Sequence, residues 1–453
     1  MSGKIIRIAN GQGFWGDSVD APVALVEAGG IDYLTLDYLA EVTMSIMQRQ
    51  KRKDPLLGYA TDFVDLMRRV LPACKEKGIR VVANAGGVNP AACRARLLEV
   101  AKQLGLSGVR IATVEGDDIL PRLDELIARG AALTSMDTGR PFSEVREHVL
   151  SANVYISTHA LAEAIATGAD VVVTGRCTDP GLTLAPMIHE FGWARDDWDR
   201  LAAGTVAGHI IECGAQVTGG NYTRWWEVEG LERIGYPVVE AHADGTFLVT
   251  KPPGTGGLVS VASVTEQILY EMGNPARYVS ADVVVDFRTI RLEQDGPDRV
   301  RVFGIRGAPE TDTFKVSISY LNGWKASGQL TISGPFALEK ARRCAEVVWA
   351  RLERAGAKFE EISTEMLGID SCHGPLARVP SEPGEVVLRL GAKDRDRAKV
   401  ERFGKELAPL ITAGPPGVTG FAGGRPKAQE IVAYWPALIP KSLVETTVRV
   451  EEV

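Results

Sequence analysis

The sequence predicts an α/β protein, with a doubly wound, mainly parallel sheet in the N-terminal half and an α+β second part containing antiparallel strands. Three observations lead there. Up to about residue 190, short β-branched runs alternate with amphipathic stretches, the pattern of parallel βαβ units. After Trp193-Ala194-Arg195-Asp196-Asp197-Trp198 the texture changes, and beyond residue 235 alternating runs separated by turn residues indicate antiparallel strands. The 453 residues, 45% hydrophobic and 24% charged, are globular material long enough for two domains. An α/β domain is therefore expected over 1–200, its strand-end loops carrying a site, and an α+β domain over 201–453 completing that site.

The strands are β-branched or aromatic runs bounded by Gly, Asp and Asn. In order they are Ile5 to Ala9, Tyr33 to Leu36, Arg80 to Ala83, Val109 to Ala112, Ala132 to Ser135, Val154 to Ile156 and Asp170 to Val173. Between them Phe63 to Lys77, Ala91 to Leu104 and Ile119 to Arg129 carry apolar residues at i, i+3, i+4 and i+7, the stripe of a helix. Leu201 to Ile211 opens the second part as a further helix. Thr246 to Thr250, Ala281 to Val285, Arg299 to Phe303 and Thr313 to Ser319 read as its antiparallel strands. A helix from Ala337 to Ala355, a strand from Val386 to Leu390, a helix from Arg397 to Leu410 and a final β-branched run from Leu443 to Val450 complete the series.

Composition removes several function classes. A net charge of −7 without a sustained Lys/Arg cluster disfavours nucleic acid, whose binding depends on neutralising phosphates. Lys51-Arg52-Lys53 reads as a solvated turn. No run approaches the roughly 18 apolar residues that span a bilayer, so no membrane partner is expected and the compartment expected is the cytoplasm. Cys74, Cys93, Cys177, Cys213, Cys344 and Cys372 form no C-x-x-C pair and are expected as reduced thiols. Histidine spacing matches no metal motif, so no metal ligands are assigned and no cofactor is firmly implied; a carboxylate-only divalent site stays open.

A parallel sheet gathers the C-terminal ends of its strands on one side, where ligands bind. The first loop there, Gly11-Gln12-Gly13-Phe14-Trp15-Gly16, is a formal G-x-G-x-x-G, and Asp37 stands where a dinucleotide site places the acid that holds a ribose. An NAD(P)-dependent oxidoreductase is one reading. Asp17 and Asp20 oppose it, because carboxylates in the first helical turn repel a pyrophosphate. The other reading is a substrate pocket, in which Gly13 admits a ligand, Phe14 and Trp15 cover an apolar chain and Asp17 handles a proton.

The remaining strand-end loops supply Asp37 with Glu41, Asn84 with Gly86 and Gly87, and Arg176 with Asp179. Asp17, Asp37, Glu41 and His159 are the candidate acids and bases; His159 follows a strand end, where it serves equally well as a cap or packing group. Arg176 and Asp179 suit substrate binding, or pair with each other at three-residue spacing. The run Glu212 to Tyr222 offers Gln216 and Thr218 as donors and Gly219-Gly220-Asn221 as an anion-accepting nest, although a tight crossover explains the same glycines. Gly256 and Gly257 repeat the theme, as an anion site or a rigid turn. Arg425 closes a third glycine loop, Gly414 to Gly424, and suits a bidentate grip on a carboxylate or phosphate or a structural ion pair. Cys372 and His373 are adjacent, but neighbours along a strand face opposite sides, so adjacency alone makes no nucleophile.

Taken together, Gly13-Phe14-Trp15-Gly16-Asp17-Ser18, Tyr38-Leu39-Ala40-Glu41, Gly58-Tyr59-Ala60-Thr61-Asp62-Phe63, Asn84-Ala85-Gly86-Gly87-Val88-Asn89-Pro90, Gly175-Arg176-Cys177-Thr178-Asp179, Glu212 to Gly220, Gly254-Thr255-Gly256-Gly257-Leu258-Val259 and Gly423-Gly424-Arg425-Pro426-Lys427 resemble the acyclic terpene utilisation protein A (AtuA) family. The resemblance runs along nearly the whole chain. It implies a part in the breakdown of citronellol-type acyclic terpenes and related branched acids, in pathways that run through acyl-CoA thioesters. The expected activity is a lyase or hydratase acting on a branched acyl-CoA or carboxylic acid, with Asp17, Asp37 or Glu41 moving protons and Asn84, Gln216 and Asn221 steadying an enolate oxygen. Many relatives continue into a small ferredoxin-like domain that is not expected within these 453 residues, so the resemblance also implies a separately encoded small partner. A non-catalytic subunit binding that partner is the alternative from another class. A small-molecule substrate and a homo-oligomer are expected.

Overall fold

The computed structural model describes residues 3–40, 42–379, 382–420 and 423–453. It is a mixed α/β structure of eighteen strands among the described residues, β1 Ile5–Gln12, β2 Tyr33–Leu36, β3 Arg80–Ala83, β4 Arg110–Glu115, β5 Val149–Val154, β6 Val171–Thr174, β7 Val238–His242, β8 Phe247–Thr250, β9 Tyr278–Val279, β10 Val284–Asp286, β11 Arg291–Gln294, β12 Val300–Phe303, β13 Arg306–Ala308, β14 Thr313–Ser333, β15 Glu361–Leu367, β16 Glu385–Asp394, β17 Gln429–Pro440 and β18 Thr447–Glu452. A ten-stranded mixed sheet runs β11-β12-β8-β7-β1-β2-β3-β6-β4-β18. Its middle is parallel, β1 to β2, β2 to β3, β3 to β6 and β6 to β4. Antiparallel strands flank it on both sides, β7 against β1 and β18 against β4. Of the antiparallel strands expected in the second part, Thr246 to Thr250 and Arg299 to Phe303 extend the same sheet as the parallel ones, as β8 and β12, whereas β10 joins β9 and β13 and β14 joins β15, β16 and β17.

Two compact units emerge. The first comprises residues up to Ser319 together with Tyr434–Val453, and the second is Tyr320–Ala433. In the first, alternate strand residues enter one core cluster: Leu34 and Leu36, Val81 and Ala83, Val171 and Val173 meet Leu25, Phe63, Met67, Val70 and Leu97 from three helices. That alternation is the period-2 geometry of a strand, and burying each such Leu, Val, Phe or Met side chain contributes about 1.5–3 kcal/mol. Tyr33 points to the other face, where its hydroxyl meets Glu190 on the helix Gly181–Phe191. The helix Thr61–Lys77 shows why the sequence pattern works, with Phe63, Val64, Met67, Val70, Leu71 and Cys74 on one stripe, Asp62 in its first turn, and Gly78 at φ +69° closing it in the left-handed conformation.

In the second unit β14 pairs antiparallel with β16, and β16 with β15. The helix Ala337–Arg354 covers this sheet with Ala337, Leu338, Ala341, Cys344, Ala345, Val348 and Leu352, a stripe of the expected spacing.

Several elements differ from expectation. Ala132 to Ser135 forms no strand, because Leu133 adopts φ +48°, outside extended geometry. The strand expected at Val154 to Ile156 lies earlier, as β5. The helix from Arg397 stops at Phe403 with Gly404 as its cap, a position where a Cβ would collide with the Pro426 carbonyl oxygen. Among the described residues no helix is long and apolar enough to cross a membrane.

Candidate functional site

The C-terminal ends of the parallel strands converge on Asp37, just beyond β2. Its buried carboxylate accepts from Asn84 Nδ2 at 2.7 Å and from the Leu39 amide at 3.0 Å, while Asn84 Oδ1 accepts from the Tyr38 amide at 2.6 Å. Burial first, and then the charge of Asp179, push the Asp37 carboxyl well above its usual range, against the pull of Arg176 and the hydrogen bond from Asn84. Arg176, fully buried, spans the region. Its Nη1 donates to the Leu39 carbonyl at 2.7 Å and to Asp179 Oδ1 at 2.6 Å, its Nη2 reaches Asp179 Oδ2 at 3.2 Å, and its guanidinium lies 4.2 Å from the centre of the Tyr155 ring. Burial opposes its charge, but Asp179, Tyr155 and Asp37 outweigh that cost and hold it protonated. Beneath it Asp117 Oδ2 accepts from the Arg176 amide at 2.7 Å and from Asn153 Nδ2 at 2.9 Å, and burial lifts this carboxyl to about 7. Gly175 leaves the space that the Asp117 carboxylate fills.

Above this network opens a cavity of about 580 Å³, lined by Asp179 and Thr178 after β6, Tyr155 after β5, His209 and Glu212 at the end of the helix Trp198–Ile211, residues 277–281, and Lys315 on β14. Met136, Val279 and Leu438 add apolar surface. Glu212, with 13% of its side chain exposed, meets His209 Nδ1 through Oε1 at 3.2 Å, and its Oε2 has no hydrogen-bond partner in the protein. Burial raises the Glu212 carboxyl to about 7 despite the imidazole beside it, and Asp179 pushes the same way. His209 is itself held protonated more readily than usual: burial opposes this, but the hydrogen bond and charge of Glu212 win. Glu212 therefore changes charge near neutrality with an imidazole in hydrogen-bond reach, which suits general acid–base work. Among the described residues no cluster of three His, Cys, Asp or Glu is placed to hold a metal ion.

The model of the acyclic terpene utilisation family protein AtuA matches residues 6–450. The chain belongs to the AtuA family. Membership implies a role in acyclic terpene utilisation. The chain is also 28% identical over 134 residues, 29% of its own length, to the peroxisomal fatty acid beta-oxidation multifunctional protein MFP2 of Arabidopsis thaliana, of which it spans 17%.

Within this AtuA chain the residues singled out in the sequence divide by location. Asp179 lines the cavity, and Arg176, Asp37 and Asn84 form the buried layer next to it. Asp17 lies apart in a knot of its own loop, accepting from the Gly13 amide at 2.9 Å, the Ser18 amide at 2.7 Å and the Tyr236 hydroxyl at 2.6 Å. Gly13 faces the chain itself, since a Cβ there would lie 2.7 Å from the Cys213 carbonyl carbon, and Trp15 donates to Asp62 Oδ1 at 2.9 Å. Glu41 falls outside the described residues. The His159 amide donates to Ser157 Oγ, and burial lowers the proton affinity of its imidazole.

Gly86 packs against the Thr174 carbonyl, and Gly87, at φ +54°, against Gly58. Gln216, Gly220 and Asn221 line a separate pocket of about 110 Å³, with Gly219 beside Val228. Gly256 and Gly257 serve close backbone crossings with Gly230 and Thr218. Arg425 belongs to the second unit, where it is exposed with Lys427, Lys405 and Arg397 around one pocket. The groups the sequence left without a role are His209, Glu212, Tyr155 and Lys315. Glu212 headed the run Glu212 to Tyr222, and the His209-x-x-Glu212 spacing at a helix end was the signal that joined it to its partner.

Proposed function

We propose that this protein is an enzyme of acyclic terpene or branched-acid breakdown, a lyase or hydratase acting on a branched acyl-CoA or carboxylic acid by acid–base chemistry. The observation that carries the reading is a pair of carboxyls on one cavity in unlike settings. Asp179 is chelated by Arg176, whereas Glu212 is buried beside His209 and raised to about 7. Two titratable groups with environments this different divide the roles of base and acid. In the hydration direction, Asp179 takes a proton from water as its oxygen attacks the β carbon, and Glu212 delivers one to the α carbon; elimination reverses both transfers. Asp179 then releases its proton to solvent, and His209 relays one from solvent back to Glu212.

This assignment moves the proton-transfer role from Asp17 and Asp37 to the cavity wall. Asp37 becomes the group that positions Arg176 through Leu39 and its charge. The likeness to a β-oxidation protein supports acyl-chain chemistry. The test is incubation of the purified protein with branched enoyl-CoAs, β-hydroxyacyl-CoAs and the free acids, read by mass spectrometry, with and without a small ferredoxin-like partner. Gain or loss of water that disappears in Glu212→Gln supports the reading. No mass change with any of these substrates sinks it.

A further inference from the structure

Two cations line the same cavity with no carboxylate to neutralise them. Lys315 is half-buried, its ammonium 4.8 Å from the centre of the Tyr155 ring and 5.7 Å from that of Tyr434. Arg277 comes from the segment ahead of β9 and is exposed. Among the described residues neither side chain forms an ion pair. The inner acids of the cavity are already engaged, Asp179 by Arg176 at 2.6 Å and Glu212 by His209 at 3.2 Å. Glu271 and Asp312 complete the charged lining, and both are exposed, where solvent screens them.

Lys315 is thus a cation fixed between two aromatic faces, which limits its freedom and leaves its donors for a ligand. A half-buried ammonium without a counter-ion is costly, and an anionic ligand relieves that cost. Met136, Val279 and Leu438 offer apolar surface in the same space, and about 580 Å³ accommodates a small apolar chain.

We propose that Lys315 and Arg277 form the anion-binding pair of this cavity, and that its substrate carries a free carboxylate on a short apolar chain. This rests on reading the cavity as the substrate site. It is independent of which residues move protons there.

The test is calorimetric titration of the full-length protein with isovalerate, its uncharged analogue isovaleramide, and inorganic phosphate. Isovalerate binds, and isovaleramide binds about tenfold or more weakly, because the ion pair contributes roughly that factor. Lys315→Gln weakens isovalerate by about tenfold and abolishes the difference between acid and amide, with circular dichroism unchanged; Arg277→Gln, at an exposed position, weakens it less. Equal binding of acid and amide, no binding of the acid, or a Lys315→Gln variant that binds the acid normally overturns the proposal. Phosphate bound more tightly than isovalerate overturns the carboxylate assignment. If Lys315-dependent binding of the acid persists in Glu212→Gln while the CoA and acid panel shows no turnover, the acid–base reading fails and the anion site stands.

Discussion

Glu212 shows how burial sets chemistry at a single residue. Burial disfavours the ionised form of a carboxyl with one oxygen on His209 and the other without a partner, and places its change of charge near pH 7. Glu212→Gln is therefore expected to lower kcat by about 100-fold or more, the usual contribution of a positioned acid, with KM little changed in steady-state assays. Asp117 makes a related statement about stability. Its carboxyl titrates at about 7 when folded and near 4 when unfolded. Between those values the folded state holds a proton that the unfolded state releases, so stability falls as pH rises from about 4 through 7. Thermal melts from pH 5 to pH 8 should show the midpoint falling, and Asp117→Asn should flatten that slope; an identical slope would remove Asp117 as its source. The ion pair of Arg176 with Asp179 was legible because their spacing and strand-end position are sequence properties. Glu212 and Lys315 were not, because what distinguishes them is a missing partner, and that depends on side chains contributed from segments far apart in the chain.

At the level of elements, the glycine loops proved informative about location more than about ligand contact. The G-x-G-x-x-G does sit where β1 ends, yet Gly13 owes its identity to the close passage of Cys213 and Gly214, both backbone neighbours with no room to yield. Gly13→Ala is accordingly expected to destabilise the protein by about 1–3 kcal/mol through overpacking. Gly384→Ala, at a position with open space and no positive φ, should stay within about 0.5 kcal/mol; chemical denaturation of both variants checks the contrast. The strands Tyr33–Leu36 and Arg80–Ala83 and the helix Ala337–Arg354 emerge from periodicity because their burial follows one face or both. Leu133 shows where that logic ends, since a left-handed residue inside a β-branched run leaves no trace in hydrophobic spacing.

Over the whole molecule the least legible feature was which strands meet. The final run reads as a strand, but nothing in its alternation shows that it crosses back to the far edge of the first sheet. There β18 pairs with β4 from Thr447 against Glu115 to Glu452 against Arg110, and the Val453 amide and carbonyl bond to Val109 and Gly108. Glu451 also neutralises Arg94, a nearly buried cation whose other partner is the Thr113 hydroxyl, at 2.6 and 2.7 Å. Deleting 447–453 would uncover the edge of β4, a template for pairing with other chains, and leave Arg94 without its counter-ion. The expected result is a loss of about 3 kcal/mol or more, concentration-dependent aggregation in light scattering, and faster amide exchange along β4 and β6. Glu451→Gln isolates the charge from the strand: it should lower stability by a smaller amount while leaving exchange in β4 protected. If the deletion melts at the same temperature and stays monodisperse, the closing strand is dispensable and the sheet ends at β4.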